Sequence, residues 1–193
     1  MRVLLIATNR YDRCMSRMQA QPLPIGLAYL AGALAASPHA VKTLDLMFSV
    51  DPLGDVAQAI REFQPALVGL SIRNISNGSY LDPQWTLPFS KTVIDKVRAL
   101  TSATIVCGGP AFSILPKAIF AYMEPDFGLA GDAAEAFVQL ASRLEADVPC
   151  HDLPGIVYRQ NGEVIVNGGH CASAFTTPPR LEELDMQKYA QAG

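Results

Sequence analysis

The sequence predicts an α/β fold, a doubly wound five-stranded parallel sheet of the Rossmann-like kind in flavodoxin-like order, followed by a β-hairpin and a linker. Three observations carry this. Short apolar runs alternate with longer amphipathic ones through the first three quarters of the 193 residues. The composition, 50% hydrophobic and 17% charged, suits one domain with a substantial buried core. Strands that read as nearly continuous apolar runs belong to sheets covered on both faces.

The first strand is expected at 2–7, within "RVLLIAT". A connection over residues 9–26 follows, far longer than the usual 2 to about 6 residues between a strand and a helix. It contains Arg10, Arg13, Arg17, Cys14, Met15 and Met18, so an anion clamp, a metal site and a surface for something large are all open. A helix at 24–36 is rich in Ala and Gly and can lie close to a sheet or a bulky ligand. The second strand is expected at 41–46. Asp51 and Pro52 then open a helix at 52–63, since a carboxylate caps free amides and proline fits the first helical position.

Pro65 leads into a third strand at 66–72, and a long loop separates it from a helix at 89–100. A fourth strand at 103–107 is followed by "GGP" and a helix at 113–122; a fifth at 126–130 is followed by a helix at 132–146. Asp132 and Glu135 have the spacing of a capping box. Beyond residue 150, "GIVYRQNGEVIVN" reads as two strands joined at Asn161 and Gly162, a favoured tight turn. The expected organisation is 1–148 as the main domain, 149–175 as the hairpin extension and 176–193 as a linker to further chain.

A net charge of −3 gives no basic footprint, so nucleic acid is not expected as a partner. No charged residue occurs from Met18 to Val41, but Pro22, Pro24 and Pro38 interrupt the stretch and its apolar centre is too short for a membrane span. The first strand begins almost at residue 1, so no signal peptide is expected, and a cytoplasmic location follows. The four cysteines lack CxxC spacing. Cys107 reads as a core residue, whereas Cys150, His151, His170 and Cys171 flank the hairpin and leave a metal site imaginable on a spacing that matches no common zinc pattern.

In an open parallel sheet, ligands bind beyond the carboxyl ends of the strands where strand order reverses. That directs attention to the loops after strands one, three, four and five. Gly108 and Gly109 allow close backbone approach to a flat ligand, and Gly131 does the same before a helix, although a tight turn explains the Gly-Gly-Pro as well. No GxGxxG follows strand one and no GxxxxGK[ST] occurs, which takes the main support from the dinucleotide and P-loop readings. No Ser/His/Asp arrangement or GxSxG is present, and Asp126 and Asp132 read as structural. A binding cleft without acid, base or nucleophile remains.

"GLSIRN" after strand three, "IVCGGPAFS" after strand four and "FGLAGDAAEAF" across strand five resemble, in that order, the N-terminal cobalamin-binding domain of cobalamin-dependent radical SAM enzymes. The resemblance covers residues 1–146, and the Arg-Asn after strand three looks most like the tryptophan 2-methyltransferases of thiopeptide antibiotic biosynthesis. It implies a cofactor-binding set of Thr8, Asn9, Ser71, Arg73, Asn74, Gly108, Gly109, Pro110, Gly131, Asp132 and Glu135, with no residue ligating a metal. The larger fold, as in methionine synthase, carries DxHxxG after strand one, with histidine as the lower cobalt ligand. The matching region here is "DRCMSR", Asp12 to Arg17, and His39, His151 and His170 lie elsewhere.

The resemblance therefore implies cobalamin held base-off with no histidine ligand. Cys14, third in that pseudo-motif, leaves thiolate ligation open, but Arg73 is the better candidate for the lower face, since a guanidinium offers no lone pair. Removing an axial donor eases reduction toward the nucleophilic cobalt that takes a methyl group from S-adenosylmethionine. Pairing of Arg73 with a surface carboxylate is the plain alternative. CxxxCxxC is absent, so the iron–sulfur cluster and S-adenosylmethionine are expected only in a radical SAM domain in cis, and the chain alone is not expected to catalyse methyl transfer. A flavodoxin-like nucleotide-binding or interaction module without catalysis is the competing reading.

Overall fold

The computed structural model describes residues 1–10, 21–77, 80–132, 134–168 and 177–191. The strands are β1 (Arg2–Ala7), β2 (Ala40–Asp45), β3 (Leu67–Ser71), β4 (Thr104–Gly108), β5 (Phe127–Leu129), β6 (Ile156–Gln160) and β7 (Glu163–Val166). They form one sheet in the order β2-β1-β3-β4-β5-β6-β7. The first five are parallel, in the expected order, whereas β6 pairs antiparallel with β5 and with β7. The sheet thus has seven strands where five were expected, because the hairpin continues it. Asn161 (φ 51°) and Gly162 (φ 86°) supply the two left-handed residues of the turn.

Alternate side chains of the central strands enter two cores, as the twofold period of a strand requires. Leu4, Ile6, Val68, Leu70 and Ile105 face α2 (Pro52–Phe63), α3 (Leu87–Leu100) and α5 (Pro116–Met123), through Val56, Ile60, Val93, Val97 and Phe120. Val3, Leu5, Leu67 and Val106 face α1 (Ile25–Ala35) and α6 (Ala134–Glu145), through Leu27, Ala31, Leu34, Phe137 and Leu140. Asp51 caps α2 by accepting the Gly54 amide at 3.0 Å, with Pro52 at the first position. The Asp132–Glu135 capping box spans residue 133, which lies outside the described residues.

The single helix expected at 113–122 is two helices, α4 (Pro110–Ile114) and α5, that break at Leu115. Leu115 precedes Pro116, and a residue before proline is pushed out of the helical region; here φ is −131° and ψ 57°. Asp126 is structural as expected, accepting the Ile105 amide at 2.7 Å and pairing with Arg98.

Residues 177–191 lie against the sheet's β2 side. The Arg180 amide donates to Ala28 O at 3.0 Å, and a Cβ on Gly32 would stand 2.2 Å from Pro178 O, so only glycine admits this approach to α1. Glu183 accepts the Thr43 amide at 2.7 Å, engaging a donor on β2, which is last in the sheet order and would otherwise invite pairing with another chain. On α7 (Met186–Gln191), the Tyr189 hydroxyl donates to Asp45 at 2.6 Å and its ring meets Phe48 edge-on.

His39 is buried before β2, 3.2 Å from the Met1 ammonium and 3.2 Å from the Ser142 hydroxyl. Burial, then the nearby ammonium, holds its imidazole below the ordinary 6.5, against the opposing pull of Glu145. The unfolded chain consequently takes up a proton near pH 6.5 that the folded one resists, and stability falls as pH drops through that value. Thermal midpoints measured from pH 7.5 to 5.5 should decline in the wild type and stay flatter in His39→Gln. Equal slopes in the two proteins would contradict this.

Candidate functional site

The carboxyl ends of β1, β3, β4 and β5 meet at one edge, and a web of short bonds fixes them there. The Thr8 hydroxyl donates to Ser71 O at 3.1 Å and accepts from the Ser90 hydroxyl at 2.9 Å, tying β1, β3 and α3 together. The Ile72 amide donates to Gly108 O at 2.8 Å, and the Ala111 amide returns to Ile72 O at 3.0 Å. Gly109 makes this crossing possible. Its φ is +98°, and a Cβ there would lie 2.7 Å from Ile72 O and 2.9 Å from Ile72 N.

On the α1/α6 face of the same edge a cleft of about 240 Å³ opens. Leu27 and Leu30 of α1 and Phe137 of α6 form its apolar walls, and the floor is the backbone of Gly69 to Ser71 and Val106 to Gly109. A Cβ on Gly69 would meet Leu5 and Phe137 at 2.9 Å, so the missing side chain makes room for the ring above. Polar groups are few: the Ser71 and Ser113 hydroxyls and Asp132, which is exposed. Cys107 gives backbone to the floor, while its side chain lies in the core on the other face, where burial pushes its thiol far up and keeps it protonated. Among the described residues no three His, Cys, Asp or Glu side chains form a metal cluster. The arrangement can hold a flat, largely apolar body and offers no acid–base pair for chemistry.

Ser71, Gly108, Gly109, Pro110, Gly131 and Asp132, singled out from sequence, do line the cleft. Thr8 lies buried in the supporting web. Asn9 is half-buried and Asn74 accepts the Thr86 hydroxyl; both lie on this edge but outside the cleft lining. Glu135 is exposed on α6, 3.4 Å from Gln139. Arg73 is also outside the lining; its Nη1 is buried with no hydrogen-bond partner, and its charge reaches Tyr189. Its plain alternative, a surface ion pair, is not seen among the described residues.

Sequence reasoning missed Gly26, Leu27, Leu30, Gly69, Ser113 and Phe137. The helical ones carry the same apolar signal as core residues, and only Gly69, an interruption in an apolar strand, marked a close approach. Cys14 and the rest of Asp12 to Arg17 lie outside the described residues, while Arg10 stacks on Phe89 at 4.9 Å. Of the conjectured Cys/His group, Cys150 is buried and His151 packs edge-on against Tyr158; His170 and Cys171 lie outside the described residues. Tyr80 and Trp85 are exposed, together with Leu81. No helix among the described residues is long and apolar enough to cross a membrane.

A family model described as the B12 binding domain matches residues 16–141. The chain is 35% identical over 166 residues to a tryptophan 2-C-methyltransferase of Streptomyces laurentii, covering 82% of this chain and 26% of that protein. It is 25% identical over 142 residues to an uncharacterized methyltransferase of Pyrococcus horikoshii, covering 73% of this chain and 29% of the other. Among solved structures, the radical S-adenosylmethionine methyltransferase TsrM of Kitasatospora setae, with cobalamin and a 4Fe–4S cluster bound, superimposes with a TM-score of 0.73 at 23% identity over 95% of this chain and 33% of that one. The cobalamin-dependent radical enzyme OxsB, with aqua-cobalamin and S-adenosylmethionine bound, gives 0.75 at 17% identity over 97% of this chain and 25% of that one. The structural likenesses speak to the fold. The chain spans between a quarter and a third of the length of these proteins.

The geometry separates two glycines that border the cleft. Gly109→Ala forces a side chain into the left-handed region and onto Ile72, and should destabilise by about 1–3 kcal/mol. Gly26 has open space within 4 Å and lies in α1, so Gly26→Ala should stabilise by about 0.5–1 kcal/mol. Urea denaturation of both variants checks the pair; the same sign for both would refute the assignment.

Proposed function

The chain belongs to the B12-binding domain family, and from that premise we propose that it holds cobalamin base-off, with no histidine below the cobalt, in a cobalamin-dependent radical SAM methyltransferase. The observation that carries this reading is the apolar, glycine-floored cleft at the switch point of the sheet, which suits the detached nucleotide base, beside an edge whose backbone can lie close to a corrin ring. Bound there, the corrinoid supplies a cobalt centre that accepts a methyl group from S-adenosylmethionine and passes it on.

The chain's own residues divide that work. Gly108, Gly109, Pro110, Gly131 and Asp132 would border the cofactor, Thr8 and Ser71 hold the edge in shape, and Asn9, Asn74 and Glu135 would meet the periphery of the bound group. Both described histidines support the absence of a histidine ligand, because they sit at the opposite edge: His39 beside Met1, and His151 against Phe127 at the start of β5. Arg73 fits the lower face, since its Nη1 is buried and unpaired while the guanidinium cannot coordinate. Its charge favours the reduced metal.

Residues 1–148 then form the cofactor domain, 149–175 extend its sheet, and 176–193 lead to a radical SAM domain in cis that holds the iron–sulfur cluster and S-adenosylmethionine. The likeness to the Streptomyces laurentii protein makes C2 of tryptophan the proposed methyl acceptor and antibiotic biosynthesis the setting. A cytoplasmic location accords with this role.

Mixing the protein with hydroxocobalamin, desalting and recording the absorption spectrum tests the central claim. A retained base-off spectrum is expected, and complete loss of colour would favour a flavodoxin-like module instead. In the loaded protein reduced to Co(II), Arg73→Ala should change the EPR spectrum and lower the reduction potential; if neither moves, Arg73 is not beneath the metal.

A further inference from the structure

Ser113 stands between the two glycine turns that border the cleft. Its hydroxyl donates to Gly109 O at 3.0 Å, and the same oxygen accepts the Gly131 amide at 2.9 Å. One side chain thus joins the turn after β4 to the turn after β5, using both capacities of a hydroxyl. Both partners sit in backbone conformations that favour glycine, with φ of +98° at Gly109 and +91° at Gly131.

The surroundings make this bridge directional. α4 is seated from below by Phe112, whose ring lies so close over Gly128 of β5 that a Cβ there would stand 2.2 Å from it. Ser113 is therefore delivered from a fixed base. The turn after β5 is held from its other side by the Ala130 amide, which donates to Gly155 O at 2.9 Å next to β6. Adjacent amides, 130 and 131, are pulled toward opposite neighbours, and the position of the turn is the balance of the two. Removing the hydroxyl removes the tie on the α4 side and leaves the one on the β6 side.

Resting on the cofactor reading above, we propose that Ser113 is a positioning residue for the corrinoid. It sets the separation of the Gly109 and Gly131 turns and so pre-forms the mouth of the cleft that it also lines. Pre-formed walls avoid an ordering cost at the moment of binding.

Three proteins, wild type, Ser113→Ala and Ser113→Thr, are titrated with hydroxocobalamin, and exchange of the Gly131 amide and thermal midpoints are recorded without cofactor. Ser113→Ala should bind about fivefold to tenfold more weakly, the worth of one net hydrogen bond. Its Gly131 amide should exchange faster while the midpoint stays near that of wild type, because Phe112 still seats α4. Ser113→Thr keeps the hydroxyl and should restore affinity to within about twofold. A wild type that does not bind hydroxocobalamin overturns the cofactor reading and this inference with it. A wild type that binds beside a Ser113→Ala that binds equally well overturns this inference alone, as does a threonine variant that binds no better than alanine.

Discussion

The edge that bears the cleft depends on one backbone contact, the approach of Gly109 to Ile72. The pairing of β3 with β4 ends at Ser71 and Gly108. The Ile72 amide closes that last pair by donating to Gly108 O, and the Ala111 amide then returns to Ile72 O, which ties the start of α4 to the exit of β3. The contact tolerates no Cβ at position 109, and from it follow the seat of α4, the lie of Phe112 over Gly128 and the reach of Ser113 to Gly131. A ligand pocket in this fold is a property of backbone placement first and of side chains second.

The two faces of the sheet are packed differently, and that asymmetry locates the opening. On one face the side chains of β3 and β4, Val68, Leu70, Ile105 and Cys107, meet α2, α3 and α5 in a closed core. On the other, β3 presents Leu67, Gly69 and Ser71 in succession, so apolar volume diminishes toward the carboxyl end. Phe137 compensates over Gly69 but not beyond it. Small residues on α1 accommodate close neighbours on both of its sides, the cleft at Gly26 and the segment at Pro178 against Gly32.

Much of this was legible because the determinants are local. β1, α2 and the Asn161–Gly162 turn follow from short patterns with one physical meaning each, and the glycine turns after β4 and β5 marked the right edge. What escaped depends on distance. Leu30 and Phe137 look like core residues until α1 and α6 are placed side by side, and Ser113 looks like an ordinary helix residue until its partner 18 positions away is known. The break at Leu115 was legible in principle, since Pro116 stood inside the expected helix; apolar content outweighed a punctuation signal that should have been decisive.

Arg73 buries an Nη1 that has no hydrogen-bond partner among the described residues, on a protein that carries more acidic than basic residues. Its charge reaches Tyr189, whose hydroxyl donates to Asp45 at the end of β2, and that carboxylate also accepts the Met47 amide. Burial raises the Asp45 pKa, and those two bonds oppose the rise. Tyr189 in turn is fixed by its packing on Phe48 and by the bonds of residues 180–183 to α1 and β2. The C-terminal segment thus engages the carboxylate at the end of β2. A buried donor left without a partner costs about 1–3 kcal/mol, so Nη1 of Arg73 is held where it is by the packing around it and not by an ion pair of its own.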